Sequence, residues 1–229
     1  MNGPALDEVV AMVSHDLRTP LSVLHTTVSM LLNPKYQFSP QQVREQHERI
    51  RRNVDLMNQM VGELADIGAM RAGKLPIDLK PLAINAVLRD AVTAAEAPAR
   101  DQGVQLTFET WPDELKADAD RARLLQLFQN LLGRAVRNCQ SGGRVRVNAL
   151  VRDDQVQIEI VDSGPGIAVD DLPHVFDPSS AAGKRLPKNG TGLGLCIARG
   201  IAEAHGGQLA CASSANDGTT FTISLPLTR

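Results

Sequence analysis

Apolar residues recur every three or four positions near the start of the chain, which is the period of one helix face. The residues in this series are Val10, Val13, Leu17, Leu21, Leu24, Val28 and Leu31. At about 100° per residue, their side chains form a single apolar stripe. The pattern predicts a helix from Leu6 to Leu32, which ends before Asn33-Pro34.

A second helix is predicted after a short connection. Ser39-Pro40 supplies an N-cap residue and a proline at the first helical position. The apolar residues that then share one face are Val43, Ile50, Val54, Met57, Val61 and Leu64. A short connection makes the two helices antiparallel neighbours. Because one hairpin cannot bury both stripes well, we expect two chains to pair as a four-helix bundle. The alternative is that the hairpin packs on the rest of its own chain.

Gly68, Gly73 and Pro76 mark a linker, and the pattern then mixes helical and strand periods. The predicted helices span 85–100, 118–138 and 193–205, and the predicted strands span 104–109, 144–151, 155–162, 208–212 and 219–225. Hairpin-joined strands with intervening helices favour an antiparallel-rich sheet covered by helices on one face. The predicted fold class is therefore α+β, with an antiparallel helical hairpin over 1–73 and an α/β sandwich over 77–229.

Composition narrows the possible partners. The net charge of -2, the lack of a basic run and an aromatic content of 3% argue against nucleic-acid binding. No apolar run approaches the roughly 20 residues that span a bilayer, and the N-terminus does not have the pattern of a signal peptide. Three cysteines without CxxC spacing suggest packing roles in a reducing compartment. We therefore expect a cytoplasmic segment without membrane contact.

The segment Ser14-His15-Asp16-Leu17-Arg18-Thr19-Pro20-Leu21 carries the first candidate chemistry. His15 lies roughly 200° from the centre of the apolar stripe, so its imidazole should face solvent, and Thr19 stands one turn on. An exposed histidine is usually a solvated side chain. This one precedes a carboxylate and a proline that costs about 3 kcal/mol inside a helix. The presence of this proline is better explained if the helix serves to present the His15 imidazole than if the helix has only a structural role.

Two glycine-rich segments are candidates for a phosphate or nucleotide site. Asp162-Ser-Gly-Pro-Gly-Ile167 ends a strand, and Gly190-Thr-Gly-Leu-Gly-Leu195 opens a helix. Glycine allows close backbone approach, and a helix start offers free N–H groups to phosphate. Asp162 could accept a hydrogen bond from an exocyclic amine. Each segment alone is more often an ordinary turn.

The helix over 118–138 is apolar around most of its circumference but keeps one polar strip. The strip is formed by Gln126, Asn130, Arg134 and Arg137, with Asn138 beside it. A solvated face is the simple interpretation, but the strip lies well inside the apolar run.

In combination these motifs resemble those of sensor histidine kinases over nearly the whole chain. The resemblance makes 1–73 the dimerisation and histidine-phosphotransfer domain and 77–229 the ATP-binding domain. It implies that ATP phosphorylates His15, and that the phosphoryl group passes to an aspartate in the receiver domain of a response regulator. Asp16 would orient the imidazole or accept its proton. Thr19 would position a water that hydrolyses the phosphorylated regulator.

The resemblance also implies a set of nucleotide-binding residues. Asp162 is the adenine partner, and Asn130 belongs to the family's N box, whose two asparagines serve Mg²⁺ and the phosphates. The implied ATP-binding residues are Asn130, Arg134, Arg137, Asn138, Asp162, Gly164, Gly166, Ile167, Gly190, Thr191, Gly192, Leu193 and Gly194. The stretch 168–189 resembles the mobile lid and carries Phe176, together with Lys184, Arg185 and Lys188 as possible phosphate contacts.

Two residues depart from the family pattern. Arg134 replaces the second asparagine of the N box, and Ser179 stands where a second aromatic residue is usual. Arginine cannot ligate Mg²⁺ because it has only donors, although its charge could hold phosphate oxygens directly. We therefore expect weak Mg²⁺-dependent use of ATP.

Two other functions compete with the kinase. One is an impaired kinase that acts mainly as a phosphatase of the regulator, a role that needs the helix face of His15 but no ATP turnover. The other is a non-catalytic dimer that binds a regulator. A chaperone-type or topoisomerase-type ATPase is disfavoured, because Asn130 stands where such enzymes have a glutamate general base. Few residues precede His15, so we expect the input signal to come from outside this segment.

Overall fold

A computed structural model describes residues 6–109, 116–152, 154–178, 192–214 and 217–227. The chain divides into two compact units, Met1–Ala72 and Gly73–Arg229. Several residues singled out in the sequence lie outside the described residues: Ser179, Lys184, Arg185, Lys188, Gly190 and Thr191.

The first unit is a hairpin of two long helices, α1 (Leu6–Leu32) and α2 (Pro40–Arg71). The bounds of α1 are those predicted from its periodicity. Ser39 caps α2: its Oγ accepts the N–H of Gln42 at 3.3 Å, while the Gln42 side chain accepts the N–H of Ser39 at 2.9 Å. The prediction that Gly68 begins the linker is wrong. Buried Ile67 anchors this turn, which outweighs a glycine penalty of about 1 kcal/mol, and the helix continues to Arg71.

The predicted single stripe on α1 is divided in the structure. Val9, Val13, Pro20 and Thr27 are buried, whereas Val10, Leu21 and Val28 are exposed. On α2, Met60 and Ile67 are buried, whereas Val54 and Val61 are exposed. Each helix of the single chain therefore keeps apolar side chains in contact with solvent.

The second unit is an α/β sandwich. Its main sheet has the order β2-β4-β5-β7-β6, and a separate ribbon pairs β1 with β3. The strands are β1 (Lys80–Ala83), β2 (Gln105–Phe108), β3 (Lys116–Ala119), β4 (Arg144–Arg152), β5 (Gln155–Asp162), β6 (Gln208–Ser214) and β7 (Gly218–Pro226). The helices are α3 (Ile84–Asp101), α4 (Arg121–Asn138) and α5 (Gly194–Ala204). All pairs in the main sheet are antiparallel except β2 with β4.

The core lies between the sheet and its helices. Along β5 every second side chain is buried, from Val156 through Ile158 and Ile160 to Asp162. The same alternation that fills the core with aliphatic side chains thus ends on a carboxylate. It places Asp162 on the helix-facing side of the sheet, at the end of the strand.

The prediction that a helix begins at residue 118 is wrong, because a short strand occupies this position and precedes the helix. Residues Lys116–Ala119 form β3, and Asp120 then caps α4 by accepting the N–H groups of Ala122 and Arg123 at 2.9 and 3.1 Å. The helix starts at Arg121 because the cap residue itself is not helical.

Candidate active site

His15 lies on the exposed face of α1, as its position in the sequence predicted. Its side chain is 79% exposed, and its Nδ1 lies 3.2 Å from Oδ1 of Asp16. When Nδ1 carries the proton and donates it to Asp16, the lone pair on Nε2 is available to a phosphoryl group. Thr19 is also exposed, one turn further along.

Pro20 is buried on α1, although it interrupts the helix hydrogen bonding. A proline has no N–H, so the carbonyl of the residue four positions earlier, Asp16, loses its usual helix donor. The break therefore falls in the turn that presents His15.

Asp162 is the carboxylate of the second candidate site, and only 1% of the residue is exposed. Its Oδ1 accepts the N–H of Gly164 at 2.9 Å, whereas its Oδ2 has no hydrogen-bond partner among the described residues. Burial raises the pKa of Asp162, and the N–H groups of Gly164 and Thr219 and the charge of Arg134 oppose this rise. The side chain thus offers one buried, unused acceptor.

The turn after Asp162 requires glycine. A Cβ on Gly164 would lie 2.8 Å from Oδ1 of Asp162 and 2.9 Å from the carbonyl oxygen of Asn138. Gly166 has φ +76°, and a Cβ there would overlap the carbonyl oxygen of Ser214. Next to it, the N–H of Ile167 donates to Oγ of Ser213 at 2.8 Å. Of the predicted residues, Gly164 and Asn138 therefore lie beside Asp162, whereas Gly166 and Ile167 contact the end of β6.

The second glycine segment packs against α4. The Nδ2 atom of Asn130 donates to the carbonyl oxygen of Gly194 at 3.2 Å, and a Cβ on Gly194 would lie 3.3 Å from Cγ of Asn130. Gly192 has φ +71°, and Leu193 is fully buried. Among the described residues no side-chain hydrogen bond caps the start of α5. The positive end of the helix dipole lies at this terminus.

Arg134 lies deeper than the polar strip suggested. Only 4% of the residue is exposed, and its Cζ lies 5.8 Å from the ring centroid of Phe221 on β7. Its Nε and Nη1 have no hydrogen-bond partner within the described residues. Burial lowers the pKa of Arg134, while the neighbouring Asp162 and Cys211 raise it. The side chain therefore enters the space between α4 and the sheet.

Arg137 does not share that space. It is exposed, and it borders a groove of about 260 Å³ between α3 and α4, together with Gln102 and Pro98. The residues of the predicted strip thus lie in different environments. Asn130 contacts α5, Arg134 is buried, and Arg137 is exposed.

Three residues that face Arg134 and Asp162 were not singled out from the sequence. Cys211, Thr219 and Phe221 lie on β6 and β7, where Thr219 pairs with Asp162 and Cys211 pairs with Phe221. Burial raises the pKa of the Cys211 thiol to about 11, so it is neutral at physiological pH. The alternating pattern of the last hairpin, aligned with β5, was the signal that could have identified them.

The structure describes the segment that was predicted to be a lid, 168–189, only as far as residue 178. Within it, the ring of Phe176 packs under the guanidinium of Arg199 on α5, with Cζ 5.6 Å from the ring centroid. In the parts of the chain that the structure describes, no group of three or more histidine, cysteine or acidic residues could hold a metal ion.

The two units match two known domain families. Residues 5–73 match the His Kinase A (phospho-acceptor) domain, and residues 119–229 match the histidine kinase-, DNA gyrase B-, and HSP90-like ATPase family. A phosphoacceptor helix followed by an ATP-binding sandwich defines the catalytic core of a histidine kinase. The chain belongs to this family.

Individual relatives agree with the assignment. The signal transduction histidine-protein kinase BaeS of Escherichia coli is 34% identical, across 97% of this chain and 47% of its own length. The fold is similar to that of the Acinetobacter baumannii histidine kinase AdeS, with a TM-score of 0.72 at 20% identity over 94% of this chain and 98% of that chain. It is also similar to histidine kinase ThkA in complex with response regulator protein TrrA (TM-score 0.70, 21% identity, 97% and 62% covered).

The chain spans about half the length of BaeS. Among the helices that the structure describes, none has the length and apolar character required to cross a membrane.

Proposed function

We propose that the chain phosphorylates itself on His15 and passes the phosphoryl group to an aspartate in a response-regulator receiver domain. The observation that carries the proposal is the exposed imidazole beside Asp16 in a phosphoacceptor domain. Nε2 attacks the γ-phosphorus of ATP, the bond to the bridging oxygen breaks, and ADP leaves. Asp16 holds or takes the Nδ1 proton. The receiver aspartate then attacks the same phosphorus, and Nε2 is the leaving group.

The second unit supplies the nucleotide site in this proposal. The unused Oδ2 of Asp162 suits the exocyclic amine of adenine. The N-terminus of α5 follows the second glycine segment, and the positive end of its helix dipole suits a phosphate. Phosphoryl transfer depends mainly on positioning and charge stabilisation, which such an arrangement provides.

The proposed partners are a second copy of the chain and a receiver domain. Exposed apolar side chains on both helices of the hairpin favour pairing through residues 1–73. A regulator partner is supported by ThkA, a protein of similar fold whose structure was solved with a response regulator. A cytoplasmic location of this segment stays a prediction.

Incubation of the purified chain with γ-labelled ATP tests the kinase proposal. We expect label on the wild type and none on His15→Ala. His25→Ala is the matched control, because His25 is another exposed histidine of α1 and should not affect labelling. Transfer is then followed by adding a receiver domain. Label that persists on His15→Ala would show that another residue is the acceptor.

The two competing functions are not favoured by the family comparisons. A non-catalytic module has no need for an exposed imidazole beside a carboxylate, or for a buried, unused acceptor in an ATPase domain. An enzyme that acts mainly as a phosphatase and a non-catalytic module would both leave the chain unlabelled. Loss of label from a phosphorylated receiver domain would then identify the phosphatase, and no change in either label would identify the non-catalytic module.

A further inference from the structure

The residues around the N box do not fit a magnesium ion. Magnesium prefers oxygen ligands in near-octahedral geometry. Asn130 offers one amide oxygen, and its amide nitrogen is engaged with Gly194. One turn on, Arg134 offers only N–H donors and a positive charge. No acidic or histidine cluster among the described residues compensates for this loss.

Arg134 is a buried cation whose charge is not paired with an anion among the described residues. A buried cation is costly unless an anion or acceptors pair with it. Arg134 is almost fully buried, its Nε and Nη1 donate to nothing among the described residues, and its ring contact with Phe221 neutralises no charge. Nε and Nη1 of Arg134 therefore require acceptors that the described residues do not provide.

Asp162 presents the complementary requirement in the same space. It attracts Arg134 electrostatically, yet the two side chains form no ion pair within 4.0 Å, and Oδ2 of Asp162 accepts nothing from the described residues. A ligand that satisfies both must carry an N–H donor at one end and an anionic acceptor at the other. An adenine nucleotide has an exocyclic amine and phosphate oxygens, which are these two groups.

We propose that this chain binds its adenine nucleotide as the metal-free anion, with the guanidinium of Arg134 supplying the positive charge that Mg²⁺ brings elsewhere. The proposal rests on the nucleotide site proposed above. A guanidinium pairs directly with phosphate oxygens. A dication beside it would meet like-charge repulsion, which is strong in a buried environment.

Calorimetric titration of the chain with ADP, with excess EDTA or with millimolar Mg²⁺, tests this directly. For the wild type we expect dissociation constants that differ by less than about threefold between the two buffers. Arg134→Asn should bind ADP at least about tenfold more tightly with Mg²⁺ than with EDTA. Arg89→Gln, which removes an exposed cation from α3, should behave as the wild type does.

Titration with adenosine and a second substitution at Arg134 distinguish the possible outcomes. Adenosine, which lacks phosphate, should bind wild type and Arg134→Asn equally; an equal loss for adenosine and ADP would overturn the proposal by placing the guanidinium on the base. If Arg134→Asn unfolds, Arg134→Gln takes its place with the same expectation, and folding of each variant is checked by its melting temperature. Wild-type binding of ADP that Mg²⁺ strengthens about tenfold overturns metal-free binding. Wild-type binding of neither ADP nor ATP in either buffer overturns the nucleotide site itself.

Discussion

The exposed face of α1 holds two candidate catalytic side chains one turn apart, and they are suited to different reactions. His15 offers a nitrogen lone pair, which can form a bond to phosphorus. Thr19 offers a hydroxyl, which can orient a water molecule but is not needed for attack by the imidazole. The two roles can therefore be separated by substitution.

We expect Thr19→Ala to retain labelling of His15 by ATP and to slow dephosphorylation of a labelled receiver domain by about 10²-fold, the order observed for loss of a positioned catalytic group. The decay of receiver label in the presence of each variant measures this. Ser22→Ala is the control, since Ser22 is another exposed hydroxyl of α1. Unchanged decay with Thr19→Ala would remove Thr19 from the proposed mechanism.

We expect the ionised Asp162 to lower the free energy of unfolding while it contributes to nucleotide binding. Because burial raises its pKa in the folded state above the ordinary value of 3.8, the folded chain binds a proton more readily than the unfolded chain. The free energy of unfolding therefore falls as pH rises between these two values, and the loss remains at neutral pH.

Asp162→Asn removes this ionisation. At pH 7 the variant should unfold at the same denaturant concentration as the wild type or a higher one, and the difference should shrink as pH falls towards 3.8. Nucleotide binding should be lost, because the buried acceptor for the amine has been changed. Denaturation at several pH values and calorimetry measure the two effects. Asp118→Asn, at an exposed position, should change neither, and a clear loss of stability at pH 7 would contradict the argument.

At the scale of elements, Asp120 and His205 join three segments. Asp120 caps α4 through Oδ1, and its Oδ2 accepts the N–H of Asp78 at 3.0 Å. The backbone N–H of Asp120 donates to Nε2 of buried His205 at 3.0 Å, and Nδ1 of His205 lies 2.8 Å from the carbonyl oxygen of Ile201. His205 therefore connects α5 to the start of α4, with Nε2 accepting the N–H of Asp120 and Nδ1 close to the carbonyl oxygen of Ile201.

Asp120→Ala should lower the free energy of unfolding of the second unit by about 1 kcal/mol, as is usual for loss of an N-cap. Burial acts to raise the pKa of Asp120, but the N–H donors of Asp78, Arg123 and Ala122 lower it overall. Its contribution is therefore present above pH 3.8 and is lost as pH falls through the lower folded value. Urea unfolding at pH 7 and pH 3 should show the difference narrowing in acid. Glu96→Ala, at an exposed site on α3, should cost much less.

The long periodic elements and the short strand β2 were predictable from the sequence, whereas the strands β1 and β3 were not. The 27 residues of α1 provide seven apolar positions, enough to fix its bounds. The sequences of β1 and β3 show no alternation that distinguishes them from their surroundings, and the two strands are held together by their pairing with each other. The parallel pairing of β2 with β4 depends on the path of the chain around a helix. The glycines and Asp162 were identified because they belong to short motifs of consecutive residues. The burial of Arg134 was not predicted, because it depends on how α4 packs against the sheet.

At the scale of the whole molecule, the hairpin has more apolar surface than one chain covers. Val10, Leu21 and Val28 on α1 and Val54 and Val61 on α2 are all exposed. Their burial between two copies would contribute about 25 cal/mol for each Å² removed from water. A periodicity analysis cannot separate the part of a stripe that packs within the chain from the part that packs between chains.

The chain should be a dimer at micromolar concentration, and Leu21→Asp should make it monomeric, because a carboxylate in the apolar interface would be desolvated. Light scattering on both proteins measures the mass directly. Leu79→Asp is the control, since Leu79 is an exposed leucine of the second unit and should leave the dimer intact. A wild-type monomer would contradict the four-helix bundle.

The proline in α1 has a mechanical consequence. Because Pro20 leaves the carbonyl of Asp16 without its helix donor, the turn around His15 is joined by fewer hydrogen bonds than the turns on either side. A helix bends most readily where its ladder is interrupted. A torque applied to either end of α1 is therefore concentrated at this turn, and a small change of tilt there swings the imidazole through an arc while both halves of the helix remain folded.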